Sequence, residues 1–273
     1  MKHFLWIFIG LFLAGCQTAH VPADFTYEEI QTSHFKLAVW QKITDATAPY
    51  KIYIEGDGHA FNRRGMPTAN PTPRTDFWRR AAFKDPSPNV IYLARPCQFV
   101  TDDTCTQTDW TTGRFSKQAS DSTYEAIYKT AGTRPVILIG FSGGAQIAGL
   151  TAVLHPNLSV KKIITVAGNL DHRTWTRQKN LLPLSHSLDL NDYRDAFLKF
   201  PQIHYVGEKD KIIPPAITQN FICGNMAPPQ NFIRTENAAA QNFACADATV
   251  ISVPETSHQK NWDTVLPLIW AEK

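Results

Sequence analysis

Ser142 stands in Gly140-Phe141-Ser142-Gly143-Gly144, behind the apolar run 136–139 and ahead of a small-residue segment, 145–150. A strand that enters a helix through G-x-S-x-G makes a sharp turn, with the serine in strained backbone geometry and its hydroxyl exposed above the sheet. A serine hydroxyl is a poor nucleophile, so it needs an imidazole to take its proton and a carboxylate to orient that imidazole. Asp210 follows the apolar run 202–207, and His258 follows the run 249–253. Each of the three residues therefore falls just beyond a predicted strand. The chemistry they can do together is acyl transfer through a covalent intermediate on Ser142.

Such chemistry also needs donors for the oxyanion that forms on the attacked carbonyl. The backbone N–H of Gly143, next after the serine, is one. Gly56-Asp57-Gly58 follows the predicted strand 50–55, and Asp57 is the second donor by position, with Gly58 close behind. Asp-Gly is equally a common turn dipeptide. Six other histidines compete with His258: His34, His59, His155, His172, His186 and His204. His172, beside Asp171, is the serious rival, whereas His204 lies in mid-strand.

The elements that must position these residues alternate along the chain. Strands are expected at 34–44, at the sheet edge, and at 50–55, 89–93, 136–139, 161–166, 202–207 and 249–253. Helices are expected from 75, over 120–131, from 145 and over 261–270. Strands alternating with helices indicate an α/β domain with a mostly parallel central sheet and helices on both faces. Residues 170–200 show no strand and carry Trp175, Leu181, Leu182 and Leu184, the composition of a small cap over the catalytic end. Residues 95–115 form a long loop in which Trp110 and Arg114 could border a pocket, although loop aromatics are as often packing.

The N-terminus has another role. Lys2 and His3 precede the apolar run 4–14, which is 11 residues long, about half the ~20 needed to span a bilayer. It reads as a signal peptide over 1–15. Leu13-Ala14-Gly15-Cys16 resembles the bacterial lipobox, in which the cysteine becomes the acylated N-terminus, and Gln17 in place of Asp suits sorting to the outer membrane. Residues 16–31 then read as lipidated N-terminus and tether, and 32–273 as the catalytic domain, anchored through lipidated Cys16 and facing the periplasm. Without Cys16, four of the five cysteines remain, in a compartment that permits disulfides. Three pairings are open; Cys97 with Cys105 and Cys223 with Cys245 is the economical one, each bracketing a polar loop. The spacings match no zinc pattern.

Of the 273 residues, 43% are hydrophobic and 19% charged, and the net charge is +3. That composition is globular, and it argues against a nucleic-acid partner.

The order Ser…Asp…His, with each residue at a strand end, is the order of the α/β-hydrolase fold. Several segments carry a closer resemblance: IEGDG at 54–58, PTPR at 71–74, YLARPCQ at 92–98, GFSGG at 140–144, AGNLDH at 167–172 and Pro214-Pro215. The chain resembles a group of proteobacterial α/β-hydrolase lipoproteins of serine-hydrolase type. The resemblance implies the fold and the Ser142, Asp210, His258 triad, and it brings no substrate with it. The expected activity is ester hydrolysis on a small-molecule or lipid-like acyl substrate, with no metal and no cofactor. Peptidase, thioesterase or acyltransferase chemistry on the same triad, or a non-enzymatic binding role, are the alternatives.

Overall fold

The computed structural model describes residues 21–224, 241–245 and 248–273. The expected signal peptide and Cys16 lie outside the described residues. The core strands are β1 Thr26–Gln31, β2 Lys36–Ile43, β3 Tyr50–Ile54, β4 Asn89–Leu93, β5 Val136–Phe141, β6 Val160–Val166, β7 Gln202–Gly207, β8 Gln241–Cys245 and β9 Ala248–Val253. They form one sheet in the order β1-β2-β4-β3-β5-β6-β7-β9-β8. From β4 to β9 every neighbour is parallel, while β1, β2 and β8 add antiparallel pairings at the two edges.

The central strands are buried on both faces, which is why they read as largely apolar runs; Lys51 in β3 is the charged exception, with its Nζ 3.3 Å from Asp85 Oδ2. Side-chain alternation sorts them into two cores. Ile52, Ile54, Val136 and Leu138 point to one face, with residues of the helices α3 Lys117–Ala131, α4 Gly143–Leu154, α6 Arg194–Phe197 and α7 Pro215–Cys223. Tyr53, Ile137, Ile139 and Phe141 point to the other, with residues of α1 Phe77–Phe83 and α8 Leu266–Ala271. Helix α4 is buried from Gly143 to Ala152 on every side, so its lack of a polar face is a consequence of its place in the core. Among the described residues no helix is long and apolar enough to cross a membrane.

Three expectations need correction. Residues 26–31, expected within the tether, are strand β1. Its side chains are exposed except Ile30, so its sequence lacks the apolar signal of a strand. Strand β2 is therefore covered by β1 and does not form the edge. Strand β8 adds an antiparallel partner outside β9. The helix expected over 261–270 is confined to α8, preceded by turns in which the Val265 and Leu266 N–H groups donate to the Trp262 carbonyl (2.9 and 3.2 Å).

The segment 170–200 divides in two. Helix α5, His172–Gln178, carries Trp175 toward the catalytic end of the sheet, where it lines the cavity beside Ser142. Leu190 and Phe197 turn the other way, fully buried against Gly149 of α4. A β-carbon on Gly149 would meet Leu190 Cδ2 at 2.4 Å, so the glycine permits this close approach. In the loop 95–115, helix α2, Gln107–Trp110, forms a single turn.

Candidate active site

Strand β3 lies between β4 and β5, with Ile54 paired to Gly140. The loop after β3 and the loop after β5 therefore leave the sheet side by side. Ser142 has φ 52 and ψ −120, a conformation that costs a non-glycine residue of the order of 1–3 kcal/mol. The surroundings hold it there. Its N–H donates to Val166 O (2.9 Å), and its carbonyl accepts from Ala145 N (3.1 Å) and Asn169 N (3.1 Å). The flanking glycines give the turn room: a β-carbon on Gly140 would sit 2.6 Å from Ala145 Cα, and one on Gly144 would sit 2.5 Å from the carbonyls of Ile54 and Glu55.

Asp210 and His258 arrive from β7 and β9, which are paired in parallel. A β-carbon on Gly207 would meet Thr256 O at 2.7 Å, and Lys209 N donates to Thr256 O (2.9 Å), so the two following loops are held together. Asp210 Oδ1 accepts the N–H groups of Ile212 (2.8 Å) and Ile213 (2.9 Å). Its Oδ2 lies 2.7 Å from His258 Nδ1, and His258 Nε2 lies 3.0 Å from Ser142 Oγ. With the Nδ1 proton donated to the carboxylate, Nε2 presents its lone pair to the serine hydroxyl. The structure thus brings the three sequence-predicted residues into one hydrogen-bonded chain, each of them buried.

The chain forms part of the wall of a cavity of about 360 Å³, within the usual range for small-molecule sites. Phe61, Phe77, Trp78, Phe141, Trp175 and Ile212 give it an apolar wall, and Asp57, Gly58 and Arg114 line it as well. The Asp57 carboxylate lies over Gly143, where a β-carbon would meet Oδ1 at 2.0 Å. Among the described residues no protein acceptor takes the N–H of Asp57, Gly58 or Gly143.

The competing histidines lie elsewhere or make other bonds. His172 Nε2 donates to Leu188 O (3.1 Å) and lies 3.6 Å from Asp189. His155 stacks on Tyr124 at 4.2 Å between ring centroids. His204 bonds Thr165 and Gln202 inside the sheet, and burial pushes its pKa down to about 3. His59 lines the cavity, and its ring makes no hydrogen bond through Nε2. The cysteines form the local pairs, Cys97 to Cys105 and Cys223 to Cys245, with Cα separations of 5.8 and 5.2 Å. Among the described residues no three His, Cys, Asp or Glu side chains converge in the manner of metal ligands.

Sequence reasoning passed over Glu55 and Arg95 near the site, and read Arg114 only as a residue that could border a pocket. Glu55, fully buried at the end of β3, accepts from Gly56 N (2.7 Å) and from the Tyr92 hydroxyl, and burial pushes its pKa up to about 7. An acid directly after a mostly apolar strand is the available signal. Arg95 and Arg114 converge on Asp57, at 3.5 and 3.3 Å. Desolvation brings Arg95 down to about 10, its pairing with Asp57 opposing the shift.

The parallel sheet with flanking helices, the strained serine between β5 and α4, and the acid and base after β7 and β9 define an α/β-hydrolase fold. A family model described as serine hydrolase (FSH1) matches residues 100–233, just under half of the chain. The whole fold is similar to Est1E from Butyrivibrio proteoclasticus, with TM-score 0.58 and 12% identity over 89% of this chain and 94% of that one. It is similar to a CIB-like hydrolase from Thermoplasma acidophilum, with TM-score 0.57 and 14% identity over 90% and 96% of the two chains. A membrane phospholipase A, described as a bacterial virulence factor, aligns with TM-score 0.59 and 13% identity over 91% and 85%. At these identities the likeness is one of fold. No curated protein sequence matches the chain.

Proposed function

We propose that this protein is a serine hydrolase that cleaves a carboxylic ester through an acyl-enzyme on Ser142. The observation that carries the reading is the hydrogen-bonded chain Asp210–His258–Ser142 opening on an apolar-walled cavity. As Ser142 Oγ attacks the ester carbon, its proton passes to His258 Nε2 and the carbonyl electrons move onto oxygen. The N–H groups of Gly143 and of Asp57 or Gly58 receive that oxyanion. Collapse expels the alcohol, which takes the proton from Nε2, and leaves Ser142 acylated. Water then repeats the sequence, with His258 again as base, and releases the acid. Asp210 keeps the imidazole in the tautomer both halves require.

No step in this scheme calls on a metal or an organic cofactor. The substrate class is a small-molecule or lipid-like acyl compound, with α5 contributing Trp175 to its selection as the working part of the cap. On the sequence of residues 1–17 we also propose a lipoprotein anchored through acylated Cys16 to the outer membrane and facing the periplasm.

A fluorophosphonate probe tests the catalytic reading. The wild-type protein should be labelled on Ser142 and the Ser142→Ala variant should not; a folded wild-type protein that stays unlabelled overturns it. A graded series of p-nitrophenyl esters beside a peptidase panel separates ester from amide hydrolysis.

A further inference from the structure

Arg114 and Arg95 are among the most deeply buried cations of the chain, with 5% and 4% of their surfaces exposed. Buried guanidinium groups ordinarily spend their donors on carboxylates or carbonyls. Arg95 does so through both terminal nitrogens, Nη1 to Asp57 and Nη2 to Arg114 O, with only its Nε left unpaired. Arg114 does not: among the described residues it donates no hydrogen bond. Its Nε lies 3.3 Å from Asp57 Oδ2 but is misaligned, and it is left without a partner.

The charges near this point do not balance. One carboxylate, Asp57, faces two guanidinium groups. The other acid on the cavity wall, Glu55, is taken up by Gly56 N–H and the Tyr92 hydroxyl. A surplus positive charge therefore lies at the wall of the cavity that holds Ser142, one carboxylate away from Gly143. The guanidinium carbon of Arg114 is 5.6 Å from the ring centroids of both Phe61 and Trp175, which line the same cavity. A planar fork with free donors, set between aromatic rings, matches a carboxylate attached to an aromatic or apolar body.

We propose that Arg114 is a substrate-recognition residue and that the ester cleaved at Ser142 carries a carboxylate beside an aromatic or apolar group. The inference rests on the serine-hydrolase reading for the position of the scissile bond. The carboxylate binds the donors that Arg114 leaves unused and offsets the surplus charge, while Phe61 and Trp175 cover the apolar part. Asp57 stays paired with Arg95 and keeps its backbone N–H toward the oxyanion.

Two matched pairs of probes test it. The substrate pair is 4-acetoxybenzoate and its neutral methyl ester, followed as release of the phenol. In Arg114→Gln, kcat/KM on the anion should fall at least about tenfold further than on the neutral ester, as expected for a lost charged hydrogen bond, and Arg114→Lys should recover part of that difference. Equal losses on both probes would mean that Arg114 only positions Asp57, and would overturn the inference. The binding pair, 4-phenylbutyrate and 4-phenylbutanamide, is read by calorimetry and needs no turnover. Wild-type protein should bind the acid about tenfold or more tightly than the amide, and Arg114→Gln should abolish the difference. Equal wild-type affinities, or a preference that survives in Arg114→Gln, overturn the proposal even if the variant kinetics are complicated by folding. Failure of the fluorophosphonate to label Ser142 alongside an intact, Arg114-dependent preference would reject the hydrolase reading and leave the anion site standing.

Discussion

The carboxylate of Asp57 lies against Gly143, so close that a β-carbon on the glycine would meet Oδ1 at 2.0 Å. Gly144, one residue on, faces backbone instead: a β-carbon there would lie 2.5 Å from the carbonyls of Ile54 and Glu55. A short side chain can swing aside, whereas the end of β3 can move only with the sheet. Gly143→Ala should therefore fold with a modest loss of stability but displace Asp57 from Arg95 and disturb the oxyanion loop, lowering kcat/KM about 10²-fold or more. Gly144→Ala should be the less stable of the two, by roughly 1–3 kcal/mol. Thermal melts and ester kinetics on the pair check both statements.

Asp210 Oδ2 at 2.7 Å from His258 Nδ1 fixes which imidazole nitrogen faces the serine. Asp210→Asn presents an amide that can donate to Nδ1 and so favours the wrong tautomer. Its kcat should fall on the order of 10⁴-fold with the melting temperature little changed. His172→Ala, by contrast, should keep its turnover to within a few-fold, since that ring is turned toward Leu188 and Asp189. A His172 variant as inactive as a His258 variant would reassign the base.

Burial lifts Glu55 to about 7 from an ordinary value of 4.5. Between those values the folded chain keeps a proton that the unfolded chain has released, so this group's contribution to stability is lost as pH rises through that window. Glu55→Gln mimics the protonated form and can keep both the Gly56 and Tyr92 hydrogen bonds. It should match wild type near pH 4.5 and melt several degrees higher near pH 8. Melting curves of the two proteins across that range give the result, and a variant less stable than wild type at the alkaline end contradicts it.

The Cys97–Cys105 bridge closes a loop of sequence separation 8 between Arg95 and Arg114. Loop-closure entropy puts its contribution at about 2.5 kcal/mol. The Cys97→Ala/Cys105→Ala double variant should melt several degrees lower. It should also lose more activity on an anionic ester than on its neutral counterpart, because the segment it loosens joins Arg95 to Arg114. Equal losses would place the effect of the bridge on overall stability alone.

The residue types of the triad, their order and the strained turn at Ser142 were legible in the sequence because each depends on a few neighbours in the chain. A buried parallel strand must be an apolar run, and a nucleophile elbow must carry glycines where β-carbons would collide. Strands with weaker local signals were not legible: β1 is largely exposed and β8 is an antiparallel edge, so pairing with β2 and β9, not composition, makes them strands. The tertiary structure alone decided the sheet order, which sets β3 beside β5 and so brings the Asp57 loop against Gly143. It also decided that Asp57, Arg95 and Arg114, separated by 38 and 19 residues, meet at one cavity wall with one more positive charge than negative. A chain read residue by residue shows which groups can do chemistry. Which of them are desolvated together depends on long-range packing, and it is burial that raises Glu55 and leaves Arg114 Nε without a partner.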